Sequence, residues 1–472
     1  MVHVAVLGGG ISGLAAGLFL GRQGHRVTVL EREPRSASAD LDSDFLHWKR
    51  PRSPHALQPH LLLAPVRTIL RDLAPDVYAT MLEHGAVELH ELAHFEPFQA
   101  RAGDEDLVTV RTRRIVLEAA LAQAVRAEPT VEVRTSVDAK GLITLPGAVP
   151  HVIGLRTKTG EIHADLVIDA AGRRSPVPRW LTCEGSRPPQ RESHHTGIAY
   201  FSRWYRLRSD TREMVPAVLG ETAPFAECVV FPSDNGYFGV ALIVSVADPT
   251  RGSLRAPQVF DAAAKTFAGG ADWLSRNQRP MTPVHVMAGL DNQWTALVDE
   301  HGPQVTGLIN LGDSALHTNP TFAQGIPLAL RAAQWLTAHD LADPDLPTTY
   351  HQWRVVNLKP WFDAQTAADQ AYQQGLRAGL HTAPPHQVTG DALLKAALPF
   401  CARDDLHIAR AGAQVRHLIR TPEQLLATRQ IRDRVHAWLR EHPDFDGRPA
   451  GPTRTRWEQA TNGRGTAGSC PL

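Results

Sequence analysis

Val4-Ala5-Val6-Leu7-Gly8-Gly9-Gly10-Ile11-Ser12-Gly13 decides the fold class of this chain. An apolar run over 2–7 reads as a buried strand, three glycines interrupt it, and 11–23 reads as a helix. A second strand over 27–30 completes strand, helix and strand within about 30 residues, a unit whose two strands run parallel. In this setting Gly8 permits the tight turn, Gly10 lets a pyrophosphate approach the backbone, and Gly13 lets the helix pack closely on the strand. Ile11 and Ser12 complete the turn, and the N–H groups of the helix start face the phosphates. Glu31, followed by Arg32, closes the second strand 18 residues past Gly13, where a carboxylate accepts bonds from adenosine ribose hydroxyls. The blander alternatives are a structural glycine turn and a solvated charge at a strand end. The motif reads as a dinucleotide site and does not separate FAD from NAD(P).

Two later stretches share its grammar. Asp165-Leu166-Val167-Ile168-Asp169-Ala170-Ala171-Gly172-Arg173-Arg174-Ser175 is a buried strand ending in small residues, with Gly172 permitting close backbone approach to a ligand. Gly307 to Ala315 is a third strand and turn, from which Asp313 can accept bonds from a polyol chain. The segment continues through Pro320, which rigidifies the loop, to Gln324, Gly325 and Ile326. These begin a helix whose outward N–H groups favour developing negative charge.

Between these motifs, 36–60 reads as a loop, 65–83 and 114–127 as amphipathic helices, and 131–137 as a strand. Residues 152–157 and 161–164 flank a hairpin turn, and 166–170 is a short buried strand. From about 190 to 290 the segments 198–207, 226–231 and 237–246 alternate and carry aromatic and β-branched residues, so a mostly antiparallel sheet is inserted here. Residues 309–311 return to a buried strand and 325–339 to a helix. Residues 345–440 read as several helices, 422–441 being the clearest. The expected organisation is a dinucleotide-binding Rossmann-like domain over 1–185 and 296–340, an inserted β-sheet domain over 186–295, a helical C-terminal region over 341–445, and a flexible tail over 446–472.

Composition narrows the classes. Hydrophobic residues are 43% and charged residues 21% of the 472, which excludes a disordered chain. Lys plus Arg and Asp plus Glu are both 49, so no basic footprint for nucleic acid is expected. Cys183, Cys228, Cys401 and Cys470 are far apart and form no CxxC pair, which fits a reduced cytoplasmic location rather than a disulfide framework or zinc knuckle. Five glycines interrupt the apolar run over 4–20, which reads neither as a signal peptide nor as a membrane span. His194, His195 and His317 lack a helical HxxxH spacing or an adjacent acid cluster, so no metal is expected.

Taken in this order, the three turns resemble those of the FAD-dependent monooxygenases, the superfamily of aromatic hydroxylases and epoxidases with the glutathione-reductase type of FAD fold. The resemblance covers 1 to about 340. It implies that Gly8, Gly10, Gly13 and Glu31 hold the ADP part of FAD, that the backbone at Val137 meets adenine, and that Asp313 binds the ribityl chain. It places Pro320, Gln324 and Gly325 beside the isoalloxazine as the catalytic residues, adds Ile11, Ser12, Arg32, Gly172 and Ile326 as cofactor contacts, and sets Arg114 near the cofactor; a surface charge is the alternative for Arg114. Many single-component hydroxylases carry Asp-Gly where this chain has Ala171-Gly172. The form seen here is closer to the epoxidase, halogenase and geranylgeranyl-reductase branches, so electrons come either from NAD(P)H directly or from a separate flavin reductase.

The implied reaction inserts one oxygen atom of O₂ into an electron-rich arene or alkene of a small organic substrate, a natural product by resemblance, through a flavin C4a-hydroperoxide kept dry by the protein. Hydroxylation and epoxidation both fit. The inserted sheet supplies candidate substrate walls at Tyr200, Phe201, Trp204, Phe231, Tyr237 and Phe238, for which ordinary sheet core is the alternative. Gln58 and His60 lie in a segment placed near the flavin. The rival activities are a reductase of the geranylgeranyl-reductase type and a flavin-dependent halogenase. The halogenase lacks support from a WxWxIP-like segment, and Lys49 is the only lysine before 140.

Overall fold

The computed structural model describes residues 1–34, 37–50, 53, 55–95, 99–208, 220–380, 389–447 and 451–462. Its first layer is a five-stranded parallel sheet. Strand β1 (His3–Leu7) leads through helix α1 (Ile11–Arg22) to β2 (Arg26–Leu30). Helix α2 (Arg114–Ala127) then precedes β3 (Val131–Arg134), and β4 (Leu166–Asp169) follows a three-stranded meander. The insert contributes β5 (Ile198–Leu207), β6 (Ala226–Pro232) and β7 (Tyr237–Ser245), after which β8 (Leu308–Asn310) rejoins the first sheet. The parallel order is β8-β4-β1-β2-β3.

The period-2 alternation of β1 explains this layering. Val4 and Val6 belong to the core shared with α1, whereas Ala5 and Leu7 belong to the core shared with the meander strands Ala139–Leu145 and His151–Thr157. A strand covered on both faces shows no polar face, as a parallel sheet requires.

The insert is antiparallel, in the order Gly220–Ala223, β6, β7, β5, Gln278–Pro280, with His285–Ala288 also pairing β5. One face of β5 and β7, with Ala199, Phe201, Tyr205, Phe238, Val240 and Leu242, packs on the helices Pro257–Ala264 and Ala268–Ser275. The other face, with Tyr200, Ser202, Trp204 and Ile243, turns towards the first domain.

After helix α3 (Gly325–Leu336), helices α4 (Leu346–Asn357) and α5 (Lys359–Ala378) return across both sheets. No helix among the described residues is long and apolar enough to cross a membrane.

Five expectations change in detail. The helix expected over 65–83 is two, Ala64–Leu73 and Pro75–Glu83, because Pro75 offers no N–H and disfavours helical backbone at Ala74. The loop expected over 36–60 contains a helix, Leu41–His47, capped by Asp40, whose side chain accepts from the Ser43 amide at 2.9 Å. The strand expected over 131–137 ends at Arg134, and Ser136 turns into the left-handed region with φ 59°. The helix expected over 422–441 breaks into Pro422–Leu426 and Arg429–Glu441, Thr428 being extended. Within the segment expected to be a flexible tail, 446–472, helix α6 (Arg454–Thr461) packs on the back of the inserted sheet; Trp457 is fully buried there and Arg454 pairs with Asp248 at 2.7 Å. Truncating a fully buried tryptophan costs about 3–5 kcal/mol, so Trp457 anchors this helix. Residues 448–450 and 463–472 of that segment lie outside the described residues.

Candidate functional site

The three glycine turns meet because their strands are neighbours. Gly8 has φ 112°, and a Cβ there would lie 2.5 Å from the carbonyl oxygen of Ala170 in the second turn. Gly312 has φ 66°, and a Cβ there would lie 2.4 Å from Ser12 Oγ in the first. Gly13 packs so tightly that its Cβ would stand 1.9 Å from Gly8 O. Two glycines behave differently: nothing lies within 4 Å of where a Cβ would be at Gly10 or at Gly172. Two points on the combined rim are therefore open.

Asp169 stitches the second and third turns together. Its carboxylate accepts from Ala171 N at 3.0 Å and Ser175 Oγ at 2.6 Å, while its carbonyl accepts from Leu311 N at 2.8 Å and Ser314 Oγ at 2.6 Å. Burial pushes this carboxyl up to about 6. Behind the third turn the buried Arg354 of α4 donates to Asn310 Oδ1 at 2.9 Å and to the carbonyls of Ala315 and Thr295 at 2.9 and 3.1 Å. An acid at the end of an apolar strand was the available sequence signal for Asp169. Arg354 had none, because its partners are carbonyls from distant segments.

At the β2 end, Glu31 accepts from Gly9 N and Glu33 N, each at 2.7 Å, and its carbonyl accepts from Val137 N at 2.9 Å. Glu31 and Val137 thus lie side by side, and Arg32 is exposed next to them. Ile11 points into the core and is 4% exposed; Ser12 faces Gly312.

At the α3 end, Asp313 is half-buried, and no hydrogen bond to its carboxylate comes from the described residues. A Cβ on Gly325 would lie 4.0 Å from Asp313 Oδ1, so the ribityl candidate borders the helix start. Gln324 is buried, and among the described residues its Oε1 has no hydrogen-bond partner. The first-turn amides of α3 have no carbonyl within their own helix. Pro320 is exposed and Ile326 is half-buried against the core.

Arg114 opens α2. Its Nε donates to Glu118 Oε1 at 2.8 Å, and its Nη1 lies 3.4 Å from His60 Nε2. Glu118 also pairs with Arg50. Because His60 Nδ1 lies 2.8 Å from the Gln58 carbonyl, the neutral Nδ1–H tautomer serves both contacts: it donates to Gln58 and accepts from Arg114. Burial and the Arg114 charge hold His60 down to about 4. The Arg114 charge and burial likewise hold His55 well below its ordinary range. The segment 55–60 also reaches the inserted sheet: Ser202 Oγ donates to Gln58 Oε1 at 2.8 Å, and a Cβ on Gly239 would meet Pro59 Cγ at 2.7 Å.

The aromatic candidates divide. Tyr200 joins the two domains, its hydroxyl 2.7 Å from Asn319 Oδ1 and 2.7 Å from Thr321 Oγ1. Phe231 is half-buried on the same face as Val229. Trp204 is on that face too but is sealed, its Nε1 donating to the Leu57 carbonyl at 2.7 Å and its ring edge-on to Phe45. Tyr237 lies under the Arg113 guanidinium at 3.9 Å. Phe238 and Phe201 are on the opposite face, Phe238 stacked on Tyr205 at 5.2 Å and beside Trp273 at 4.9 Å, so neither borders the turns. Sequence alternation alone did not say which face was which, since every residue of β7 is buried.

The three histidines considered for a metal have separate partners: Glu192 for His194, the Asp291 carboxylate for His195, and the Asp291 carbonyl for His317.

A family model described as an NAD(P)-binding Rossmann-like domain matches residues 6–73. The protein Rv3254 of Mycobacterium tuberculosis is 26% identical over 387 residues, covering 75% of this chain and 79% of that protein. Among solved structures, PqsL, a probable FAD-dependent monooxygenase of Pseudomonas aeruginosa, superposes with a TM-score of 0.59 at 16% identity, covering 80% of this chain and 99% of that one. A flavin-dependent brominase superposes with a TM-score of 0.57 at 15% identity, covering 94% of this chain and 99% of that one. The chain has the fold of the flavin-dependent monooxygenases and halogenases.

Proposed function

We propose that this chain is an FAD-dependent oxidoreductase, specifically a monooxygenase that inserts one oxygen atom of O₂ into an electron-rich arene or alkene of a small organic molecule. The observation that carries the reading is the convergence of three turns from distant sequence on one rim. There, among the described residues, Gly10 and Gly172 are open, the Asp313 carboxylate is unclaimed, and Gln324 Oε1 is buried without a partner. A buried polar atom without a partner is unfavourable by about 1–3 kcal/mol, so a rim carrying one fits a ligand that donates to it. Those residues suit FAD laid from Glu31 and Val137, past Gly10, to Asp313 and the start of α3.

When bound, FAD supplies the two-electron chemistry and the activation of O₂, with reducing equivalents derived from NAD(P)H either directly or through a separate reductase. The residues of this chain hold and enclose. Gly10 admits the pyrophosphate to the α1 amides, and Asp313 accepts from ribityl hydroxyls. The α3 amides, Gln324 and Gly325 face the ring, where a helix start stabilises negative charge. Arg114, fixed by Glu118 and His60, contributes a permanent cation nearby. Segment 55–60 and the Tyr200–Asn319–Thr321 junction close two sides of the space between the domains and exclude water, leaving Phe231 as wall.

The test begins with the purified chain. FAD should bind at one per chain, NADH or NADPH with or without a flavin reductase should bleach it anaerobically, and O₂ should restore it. Product formed under ¹⁸O₂ should carry one labelled atom. A chain that stays colourless after incubation with FAD would defeat the reading. The likeness to a brominase over nearly the whole chain favours halogenation as the second reading; product formation that requires bromide or chloride would select it, and label incorporation without halide would reject it.

A further inference from the structure

Helix α5 lies beyond the part of the chain in which the three motifs fall, yet it reaches the loop that carries Pro320. Asp369, in its middle, is 2% exposed. Its carboxylate accepts from Asn292 Nδ2 at 2.8 Å, from Asn319 Nδ2 at 3.0 Å, and from Gln365 Nε2 at 3.0 Å on each oxygen. Asn292, Asn319 and Gln365 are themselves fully buried. Asn292 Oδ1 in turn accepts from the Asn319 backbone amide at 2.6 Å, and Asn319 Nδ2 also donates to Thr321 Oγ1 at 2.7 Å. The Tyr200 hydroxyl closes the network from the sheet.

We propose that Asp369 is a positioning residue that sets the conformation of loop 319–323, and through it the placement of Pro320 and Gln324 against the flavin ring. The inference rests on the flavin reading of those two residues. Its first support is energetic. A buried carboxylate served only by amides is an unfavourable way to pack a helix on a sheet, since apolar side chains of similar volume would serve better. What such a network provides is a single geometry, because the amide donors and the carboxylate must be placed together for every bond to form. Its second support is the loop itself. Ala323 has φ 55°, a left-handed conformation that a non-glycine residue adopts against its preference, immediately before Gln324 and the start of α3. A strained turn persists when the residues before it are held, and Asn319 is held by its backbone, its side chain and its hydroxyl neighbours together. Tyr372 and Glu227, paired at 2.9 Å, belong to the same polar neighbourhood but do not bond the loop.

The test compares the holoprotein with Asp369→Asn, in which one oxygen that accepted N–H bonds becomes a donor facing donors. FAD affinity should weaken about tenfold, the loss expected from one unsatisfied buried group. The visible circular dichroism and the reduction potential of the bound flavin should both shift. A merely structural role would lower the melting temperature of the apoprotein and leave those two signatures as in the wild type. Tyr200→Phe removes only one hydroxyl from the far side of the same loop and should shift the dichroism in the same sense, by less. If FAD affinity stays within about twofold and the dichroism and potential are unchanged in Asp369→Asn, the proposal is overturned. If that variant does not fold, Tyr200→Phe decides by the same criteria. A wild-type chain that binds no FAD overturns the flavin reading and this inference with it, whereas a wild type that binds FAD beside unaltered variants overturns this inference alone.

Discussion

The two sheets of this molecule use their residues in opposite ways. The parallel sheet puts its proposed chemistry at the ends of β1, β4 and β8, in turns where side chains are small and the backbone is open to a ligand. The inserted sheet presents its side chains broadside, one face to the first domain and one to its own helices. At a strand end, one added methyl group is felt through a carbonyl at a fixed distance. On a sheet face, what matters is which side of the pleat a residue occupies.

The largest effects should therefore come from the turns, and they should separate by position. Gly13→Ala places a methyl 1.9 Å from Gly8 O, and backbone cannot yield as a side chain would. The expected loss is about 3 kcal/mol or more, with no FAD retained through gel filtration. Gly10→Ala meets nothing within 4 Å, so the melting temperature of the apoprotein should hold while FAD affinity falls. Equal loss of stability in both variants would break the distinction between a glycine that serves packing and one that serves a ligand.

The faces of the second sheet come next. Phe238→Ala empties a fully buried site between Tyr205 and Trp273 and should lower stability by about 3–5 kcal/mol in urea unfolding. Phe231→Ala, half-buried on the domain-facing side, should lower it by about 1 kcal/mol or less and instead alter KM for whatever substrate the space accepts. Similar losses of stability from the two would mean that both faces are core.

These pairs also mark how far the sequence reaches. The βαβ unit, the order of the three turns and the inserted sheet were legible because glycines, strand length and period-2 alternation are local signals. The faces of β7 were not, since a strand buried on both sides carries no alternation to read. The break at Pro75 is masked by an otherwise regular apolar spacing across it. Asp369, Arg354 and Asn292 stayed hidden for another reason: apart from Gln365, one turn before Asp369, their partners lie tens of residues away, and nothing in the local pattern announces them. Trp457 was hidden by its company, a single large apolar residue in a polar segment, and the Arg454–Asp248 pair that docks the helix beside it joins residues far apart in sequence.

Acid stability gives a smaller and more diffuse test, sited where the C-terminal helices meet the first domain. His417 is fully buried, its Nδ1 accepting from Ala64 N at 3.0 Å, and burial holds it down to about 3. A histidine lowered in the folded state leaves stability level above its unfolded value near 6.5 and removes it as pH falls below that value, by about 2 kcal/mol at pH 5. Asp169, raised to about 6, has the opposite sign: its contribution is present below about 4 and is lost as pH rises through 6. Subtracting the unfolding curves of His417→Asn from those of the wild type cancels Asp169 and isolates the histidine. The difference should grow smoothly from pH 6.5 to 5; a flat difference would mean that His417 is charged in place.

Glu31 carries a modest expected effect and separates two roles that one carboxylate can hold. Its oxygens already accept from Gly9 N and Glu33 N, so it organises the first turn before any ligand arrives. Each oxygen of a carboxylate has a second lone pair, which leaves capacity for ribose hydroxyls. Glu31→Gln keeps the shape, retains one acceptor and turns the other into a donor that faces an amide. If the role is confined to the turn, the apoprotein should lose about 1–2 kcal/mol, and FAD and FMN should weaken by similar factors, since FMN lacks the AMP half of FAD but keeps the ring, the ribityl chain and one phosphate. If the ribose role holds as well, FAD should weaken about tenfold further than FMN, and ADP-ribose should cease to compete with it. The measurement is the ratio of the two Kd values in variant and wild type. A ratio that does not change would reduce Glu31 to a clasp for its own turn and move adenosine recognition to the backbone around Val137, whose amide is already tied to the Glu31 carbonyl at 2.9 Å.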